Sequence, residues 1–422
     1  MESKGFATLK KEIIDSGLCH SCGTCAGVCP HQAIEISYGP SDEGDPEPIL
    51  TGECHDCDEL CYETCPGKTI PLPGIDAMLF GRKRDQHLES TGIFRECLGG
   101  FARNDVYRGS GTGGGAALAV LDYAFKNKVI DGAIVSAFDK KKPWQVRPVV
   151  ISSSDELQAV SEYSYSLVPV NALLKQAVEK KGVEKLALVG LPCHIQGLRK
   201  IQFLGACDWL NNRVVFSLGI FCPTNFFWQY TKHILVEKCG IENFEAIKHL
   251  TFHGGATPKH LVVTLQDGKE TEIDFFTLLF WGIGNFMHQR CAVCCDWTAE
   301  VADISIGDLW EPWLAPGDRG WSTIITRTAI GEQVIHAAQR DTFLYARPTP
   351  EDCLVASFAW EIKKHASAYR LAWRSTHTPN PVPDYGYSID EALALRPAKS
   401  APWRVNSRFH GLISGVPPEE KR

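Results

Sequence analysis

Two cysteine runs near the N-terminus restrict this chain more than any other feature. The first is Cys19-x2-Cys22-x2-Cys25-x3-Cys29-Pro30, and the second is Cys54-x2-Cys57-x3-Cys61-x3-Cys65-Pro66. Four thiols packed so closely on a short loop cannot all close strain-free disulfides with one another. They can surround a cubane iron–sulfur cluster, whose soft irons take four thiolate donors. The prolines after Cys29 and Cys65 fix the backbone where it leaves each run. Electron transfer is therefore the first expectation. The bland alternative is a pair of structural zinc sites, but zinc ribbons separate their two CxxC pairs by a longer stretch.

The first run matches bacterial ferredoxin spacing residue for residue. Where two such runs occur, the fourth cysteine of each serves the other cluster. Cys19, Cys22 and Cys25 would then join Cys65, while Cys54, Cys57 and Cys61 would join Cys29. The second run has one extra residue between Cys57 and Cys61, which a loop tolerates.

The bulk numbers exclude several classes. A chain of 422 residues suggests two to four domains, at ~100–200 residues each. With 44% apolar and 10% aromatic residues it can bury a real core. A formal charge of −7 spread over both signs gives no basic footprint, so neither nucleic acid nor an anionic membrane surface is expected as a partner. The most apolar segment, Phe275 to Met287, is interrupted by Gly282, Gly284 and Asn285 and reads as core rather than a span. The opening MESKGFATLKKEI lacks the apolar stretch of a signal peptide. Seventeen cysteines in such a chain point to metal rather than disulfides, and to a reducing, oxygen-poor cytoplasm.

Four regions are expected. Residues 1–80 read as a small cluster-binding domain whose core is poor apart from its cysteines. The metal must then supply much of its folding energy. Pro71, Pro73 and Gly74 read as a linker. Residues 81–185 hold a Gly-rich turn, Arg108-Gly-Ser110-Gly111-Thr112-Gly113-Gly114-Gly115, directly before the helical spacing of Leu118, Leu121, Ala124 and Phe125. Residues 186–375 alternate strand and helix: LALVGLPC and VVFSLGIFC are buried strands, and the segment around Asp267-Gly268 is a hairpin. Residues 376–422 read as an extended, Pro-rich tail. The fold class is α+β or α/β, a small ferredoxin-like domain for two 4Fe-4S clusters followed by a mixed α/β domain.

Four further cysteines stand where loops can converge. Cys193 and Cys222 each follow an apolar strand, and α/β folds build sites at such strand ends. Cys291 and Cys294 have the spacing of two cluster corners, with Cys295 an alternative to Cys294. The other reading of Cys193 and Cys222 is that they are small buried apolar residues. Cys97, Cys207, Cys239 and Cys353 have no partner pattern.

The Gly-rich turn suits an anion. Backbone N–H groups at a helix N-terminus, with no side chains in the way, can hold a pyrophosphate. The turn lacks the lysine of a triphosphate loop. Arg108 is either a phosphate partner or a surface arginine. Asp303, Ser305 and Asp308, just after the CxxC, either orient cluster ligands or a flavin ring, or cap turns. His194, beside Cys193, reads as a hydrogen-bonded structural residue.

Together these segments resemble the coenzyme F420 hydrogenase/dehydrogenase beta subunit family over roughly residues 90 to 345. The resemblance rests on the turn at Ser110–Gly115 with its helix and IDGAIV strand, and on Ser161-x-Tyr163-x-x-Ser166. It also rests on Gly190-Leu-Pro-Cys193-His-Ile-Gln-Gly-Leu-Arg199, Leu218-Gly-Ile-Phe-Cys222, Cys291-x-x-Cys294, Ala302-Asp-Ile-Ser-Ile-Gly-Asp308 and Gly320-Trp-Ser322. It implies an FAD beside a 4Fe-4S cluster held by Cys193, Cys222, Cys291 and Cys294. The candidate flavin contacts are Arg108, Ser110 to Gly115, Ser161, Tyr163, Ser166, Asp303 and Asp308.

The expectation is thus an FAD and iron–sulfur oxidoreductase with three clusters, exchanging hydride with a deazaflavin (coenzyme F420) and electrons with a protein partner. The alternative is a subunit of a larger redox complex that uses ferredoxin or NAD(P)H. A third reading is a non-catalytic iron–sulfur redox sensor.

Overall fold

Strands buried on both faces are read from unbroken apolar runs, because no residue of such a strand faces water. The runs at Ala133–Val135 and Leu186–Leu188 are of this kind, and both are almost wholly buried, as are Phe216 and Leu218 on either side of Ser217. The computed structural model describes residues 4–40, 43–55, 57–85, 89–110, 113–160, 164–210, 212–254, 260–309, 320–351, 361–379 and 381–388.

The N-terminal module pairs β1 (Ile34–Ser37) with β2 (Glu47–Leu50). The larger part begins with β3 (Glu96–Ala102), β4 (Gly132–Phe138), β5 (Val146–Ile151), β6 (Leu186–Gly190) and β7 (Val214–Ile220). An antiparallel trio follows: β8 (Ile247–Gly254), β9 (His260–Leu265) and β10 (Glu270–Asp274). The chain then returns with β11 (Ile304–Asp308), β12 (Ser322–Thr326) and β13 (Leu344–Pro348). Eight strands form one mixed sheet in the order β13-β3-β12-β11-β7-β6-β4-β5. Its centre, β11, β7, β6 and β4, is parallel, and its flanks are antiparallel.

Successive residues of a strand point to opposite faces, and two cores result. Ala133, Val135, Ala187, Phe216 and Ile304 pack with the Ala116–Lys126 and Ala329–Arg340 helices. Ile134, Leu186 and Leu188 pack on the other face with Ile195, Leu198 and Ile201 of the Pro192–Leu204 helix. The β9–β10 hairpin turns at Gly268, whose φ of +84° suits glycine, and it matches the hairpin read at Asp267-Gly268. The apolar Phe275–Asn285 helix packs Leu278, Leu279 and Ile283 into a third core. Among the described residues no helix is long and apolar enough to cross a membrane.

Two expectations are corrected. Pro71, Pro73 and Gly74 are not a linker: Leu72–Phe80 is a helix, with Ile70, Leu72 and Ile75 buried in the core of the larger sheet. Proline is tolerated in a first helical turn, where its missing N–H has no intrahelical acceptor. Nor are residues 381–388 of the expected tail extended in solvent. Tyr385 is buried in the same core, and Asp384 exchanges backbone hydrogen bonds with Ile70 and Lys68. Residues 389–422 lie outside the described residues.

Candidate functional site

The two N-terminal runs fold over each other. Cys25 lies in the short Thr24–Val28 helix with Cys29 as its C-cap, and Cys61 lies in Leu60–Glu63. Burial raises the Cys25 thiol well above its ordinary range, and its thiol neighbours Cys65, Cys19 and Cys22 raise it further. Burial likewise pushes Cys61 up to about 12, with Cys57, Cys54 and Cys29 adding to it. The fourth cysteine of each run therefore faces the first three of the other. Backbone N–H groups of Ser21, Ala33 and Gly67 point at the sulfurs of Cys19, Cys29 and Cys65. Cys29, Cys54, Cys57 and Cys61 line one hollow with His31 and Glu53.

A third set of thiols converges at the large sheet. Cys193 is the second residue of the Pro192–Leu204 helix, Cys222 lies two residues beyond β7, and Cys291 and Cys294 bracket a single 3-10 turn. Burial raises Cys193 well above its ordinary range, with Cys22, Cys222, Cys291 and Cys294 contributing in that order. Cys22 belongs to the first run, so the first and third sets are neighbours. Cys295 differs: burial pushes it up to about 12, and the charges around it are Lys364, Cys294, Arg290 and Glu300.

These donor sets fit iron–sulfur clusters. Among the described residues no three of His, Cys, Asp or Glu converge on a single-ion site. A cubane instead spreads its four sulfur ligands around a larger body. Burial disfavours the thiolates of Cys25 and Cys193, and a bound cluster would supply the cations that stabilise them. His20 is buried beside Cys19 with both ring nitrogens unpartnered among the described residues.

The seam between the N-terminal module and the large sheet is tight. Asn171 donates from its amide to Thr24 Oγ1 (2.9 Å) and to the His194 carbonyl (2.8 Å), and its backbone N–H reaches the Cys22 carbonyl. A Cβ on Gly27 would lie 2.0 Å from the Asn171 carbonyl oxygen, and one on Gly197 would lie 2.2 Å from Thr24 Oγ1. Lys175 and Lys200 donate to the carbonyls of Pro30 (2.8 Å) and Cys65 (2.7 Å), the last bonds before each run ends.

Beside the third set a partly open cleft runs along the carboxyl ends of β6, β7 and β11 and the start of the Ala116–Lys126 helix. Gly113, Gly115, Ser166, Gly190, His194, Ile220, Asp308 and Ser322 are among its lining residues. Gly113 packs so closely on Asp308 that a Cβ would lie 2.2 Å from Oδ1, and Ser322 Oγ donates to the Gly113 carbonyl. Gly115 has φ +72° and would place a Cβ 2.2 Å from the Tyr107 carbonyl oxygen. Gly114 lies behind the cleft, its carbonyl accepting from Ala102 N–H. The glycine-lined helix start, apolar walls and flanking hydroxyls fit a dinucleotide with a flat ring.

His194 is held neutral. Burial brings it down to about 4, Nδ1 accepts from the Leu191 N–H (2.9 Å), and Nε2–H donates to the Val168 carbonyl (2.7 Å). This is the hydrogen-bonded structural histidine that the sequence suggested.

Other expected flavin contacts fall elsewhere. Asp303 sits at the opposite end of β11 from the cleft. It is bonded to Arg199 (2.7 Å), to Ser217 and to Thr328, a buried pair bracing the sheet. Ser305 is bonded to Arg327 and to the Ala299 carbonyl. Arg108 stacks on the Phe101 ring at 3.8 Å and is not among the cleft's lining residues. Ser110 ends the Asp105–Ser110 helix. Gly111, Thr112, Ser161, Tyr163 and Cys353 lie outside the described residues.

Comparison with known proteins accounts for most of the chain. Two family models describe the "Coenzyme F420 hydrogenase/dehydrogenase, beta subunit"; residues 97–175 match the N-terminal one and residues 183–352 the C-terminal one. Residues 12–35 match a 4Fe-4S binding domain. The coenzyme F420 hydrogenase subunit beta of Methanothermobacter thermautotrophicus is 32% identical over 56% of this chain and 79% of its own length. The chain belongs to the coenzyme F420 hydrogenase/dehydrogenase beta subunit family.

This is a family of oxidoreductases, and the first N-terminal run lies in a 4Fe-4S binding domain that precedes the beta subunit fold. The coenzyme F420-dependent sulfite reductase of Methanocaldococcus jannaschii is 30% identical over 78% of this chain, which spans 47% of that relative's length. One of the subunits of the F(420)H(2) dehydrogenase of Methanosarcina mazei is 24% identical over 85% of this chain and 92% of its own. A chain of the F420-reducing [NiFe] hydrogenase complex from Methanosarcina barkeri shares the fold, with a TM-score of 0.57 at 24% identity over 71% of this chain and 99% of that one.

Two residues at this family member's sulfur sites escaped the sequence reading: the buried cations Arg290 and Lys363. Arg290 carries a faint signal, since it directly precedes the CxxC. Lys363 carries none.

Proposed function

We propose that the chain is an FAD- and 4Fe-4S-containing oxidoreductase. In this reading it couples hydride exchange with coenzyme F420 to single-electron exchange with a protein partner, through three clusters. One observation carries it: each set of thiols neighbours the next, and the third neighbours the cleft. His194 of the cleft wall adjoins Cys193, Cys193 faces Cys22, and Cys25 faces both Cys65 and Cys61.

A flavin takes up two electrons as a hydride and yields them singly, which matches a two-electron carrier to one-electron clusters. The protein's own groups do the rest. Gly113, Gly115 and the start of the Ala116–Lys126 helix offer backbone N–H groups to a pyrophosphate. Leu118, Leu121, Val189 and Ile306 keep water from the cleft wall. His194 fixes the Leu191 turn that carries Cys193, and both of its nitrogens are already engaged. Cys193, Cys222, Cys291 and Cys294 hold the cluster beside the cleft. Cys19, Cys22, Cys25 and Cys65 hold the next, and Cys29, Cys54, Cys57 and Cys61 the one nearest the surface. The module from Glu12 to Gly67 has twelve carboxylates and neither lysine nor arginine, so the partner meeting it carries a basic face.

Anaerobic purification with iron, sulfide and flavin counts tests the reading. Bleaching by reduced F420, NADH, NADPH and reduced ferredoxin is then compared on one sample. Bleaching by reduced F420 with flavin present is the expected result. A flavin-free preparation overturns the reading, and bleaching by NAD(P)H or ferredoxin alone transfers it to a member of a larger complex that works without deazaflavin.

A further inference from the structure

Two cations are buried between the sulfur sites with no carboxylate paired to them among the described residues. Lys363 is 1% exposed and its Nζ lies 3.5 Å from the Cys291 carbonyl oxygen. Arg290 is fully buried. Its Nε donates to the Gly67 carbonyl (3.1 Å) and its Nη1 to Tyr385 OH (3.1 Å), while Nη2 has no partner among the described residues. Other cations meet carboxylates: Arg84 with Asp76 and Glu300, Lys364 with Glu300, and Arg199 with Asp303. Buried Lys200, Arg327 and Arg370 are bonded to carbonyls and hydroxyls, whereas Lys363 has the third set of thiols around it.

The thiols are what these two cations face. After burial, the influences on Lys363 are Cys294, Cys291, Cys222 and Cys193, the whole third set, and all four favour its charged form. Arg290 touches both sites. It directly precedes Cys291, and it grips the carbonyl of Gly67, whose N–H bonds Cys65 Sγ. Its charge also favours the thiolate of Cys22. A buried charge without a counter-charge is unstable. Thiolates and the cluster they hold supply that counter-charge.

We propose that Lys363 and Arg290 set the reduction potentials at the junction of the two sites. Lys363 acts on the cluster of Cys193, Cys222, Cys291 and Cys294. Arg290 acts on that cluster and on the one of Cys19, Cys22, Cys25 and Cys65. The proposal rests on the reading of these cysteines as cluster ligands. Its physical basis is direct: reduction adds one negative charge in a low-dielectric site, and a fixed cation there favours the reduced form. The shared Arg290 keeps the two potentials in step, so an electron arriving at one cluster passes to the other without a steep climb.

The test is an EPR-monitored redox titration of the full-length, anaerobically purified protein, with iron and sulfide counted in each sample. Lys363→Met makes reduction of one cluster at least tenfold less favourable, a shift of about 59 mV to the negative for a one-electron couple. Lys363→Arg restores the original value. Arg290→Gln moves two clusters in the same direction, and Arg290→Lys moves them less. A Lys363→Met protein with full iron whose titration overlays the wild type overturns the proposal. If Lys363→Met fails to fold, unchanged potentials in Arg290→Gln overturn it equally. A wild type with iron for only two clusters refutes the cluster assignment instead, which separates the two failures.

Discussion

Lys200 Nζ donates to the carbonyl oxygen of Cys65 at 2.7 Å, seven residues along the same helix from Cys193. One helix thereby carries a thiol of the third set at its start and holds the end of the second cysteine run two turns later. Lys200→Met leaves that carbonyl without its donor in a buried place, at a cost of about 1–3 kcal/mol. The urea midpoint of the holoprotein should fall accordingly. An unchanged midpoint would mean that water replaces the ammonium.

Cys294 and Cys295 should separate cleanly. The structure turns Cys294 toward Cys222 and Cys193, whereas Cys295 faces Lys364 and Glu300. Cys294→Ser is expected to lose about four irons per chain, with Cys295→Ser retaining them. Iron and sulfide assays on the two variants decide the matter, and the reverse pattern would exchange the two roles.

Gly115→Ala should damage the cleft. At φ +72° an L residue costs about 1–2 kcal/mol, and its Cβ would lie 2.2 Å from the Tyr107 carbonyl oxygen, which is backbone and cannot swing away. The expected result is a lower melting temperature and less flavin at unchanged iron content. Full flavin retention would move the pyrophosphate away from this turn.

Arg84 closes a buried network. It grips Asp76 through two hydrogen bonds of 2.7 and 2.9 Å and also meets Glu300, which is shared with Lys364. Arg84→Met takes the cation from buried Asp76, while Glu300 keeps Lys364, and breaking such a buried pair costs about 3–5 kcal/mol. Denaturant unfolding should show the loss. Arg82→Met, at an exposed pair with Glu89, should show almost none.

Acid should loosen the protein through His288. Burial brings it down to about 4, against the pull of Asp45 and with the help of Arg290 and Lys363; His20 faces it as well. The folded state therefore binds this proton less readily than the unfolded chain. The stabilisation is complete above about pH 6.5 and is lost as pH falls toward 4, in total about 3 kcal/mol. His288→Phe should flatten that limb of the stability profile. An unchanged limb would assign it to other groups.

Much of this was legible in the residues. Cysteine spacing alone paired the thiols of each run with the fourth of the other, and the structure brings those thiols together. Apolar runs marked β6 and β7 as buried strands, while the residues alone left Cys193 and Cys222 open between site thiols and small buried side chains. What escaped had tertiary causes. Pro71 and Pro73 read as breakers, yet they open a helix whose burial depends on Leu198 and Leu371, far away in the chain. Asp303 read as a site residue because it follows the CxxC, but its fate was decided by Arg199, over a hundred residues earlier. Lys363 looks like any surface lysine until folding surrounds it with four thiols.

The glycines at the seam bear on how such a protein could be rebuilt. Gly27 and Gly197 leave no room for even a methyl group between the first cysteine loop and its neighbours. A foreign electron carrier grafted in place of residues 12–67 would sit askew unless it kept glycine at the position of Gly27. In the proposed relay, even a slight misplacement would lengthen the jump from the cluster at Cys193 to the graft's first metal centre, and tunnelling would slow although every ligand was intact.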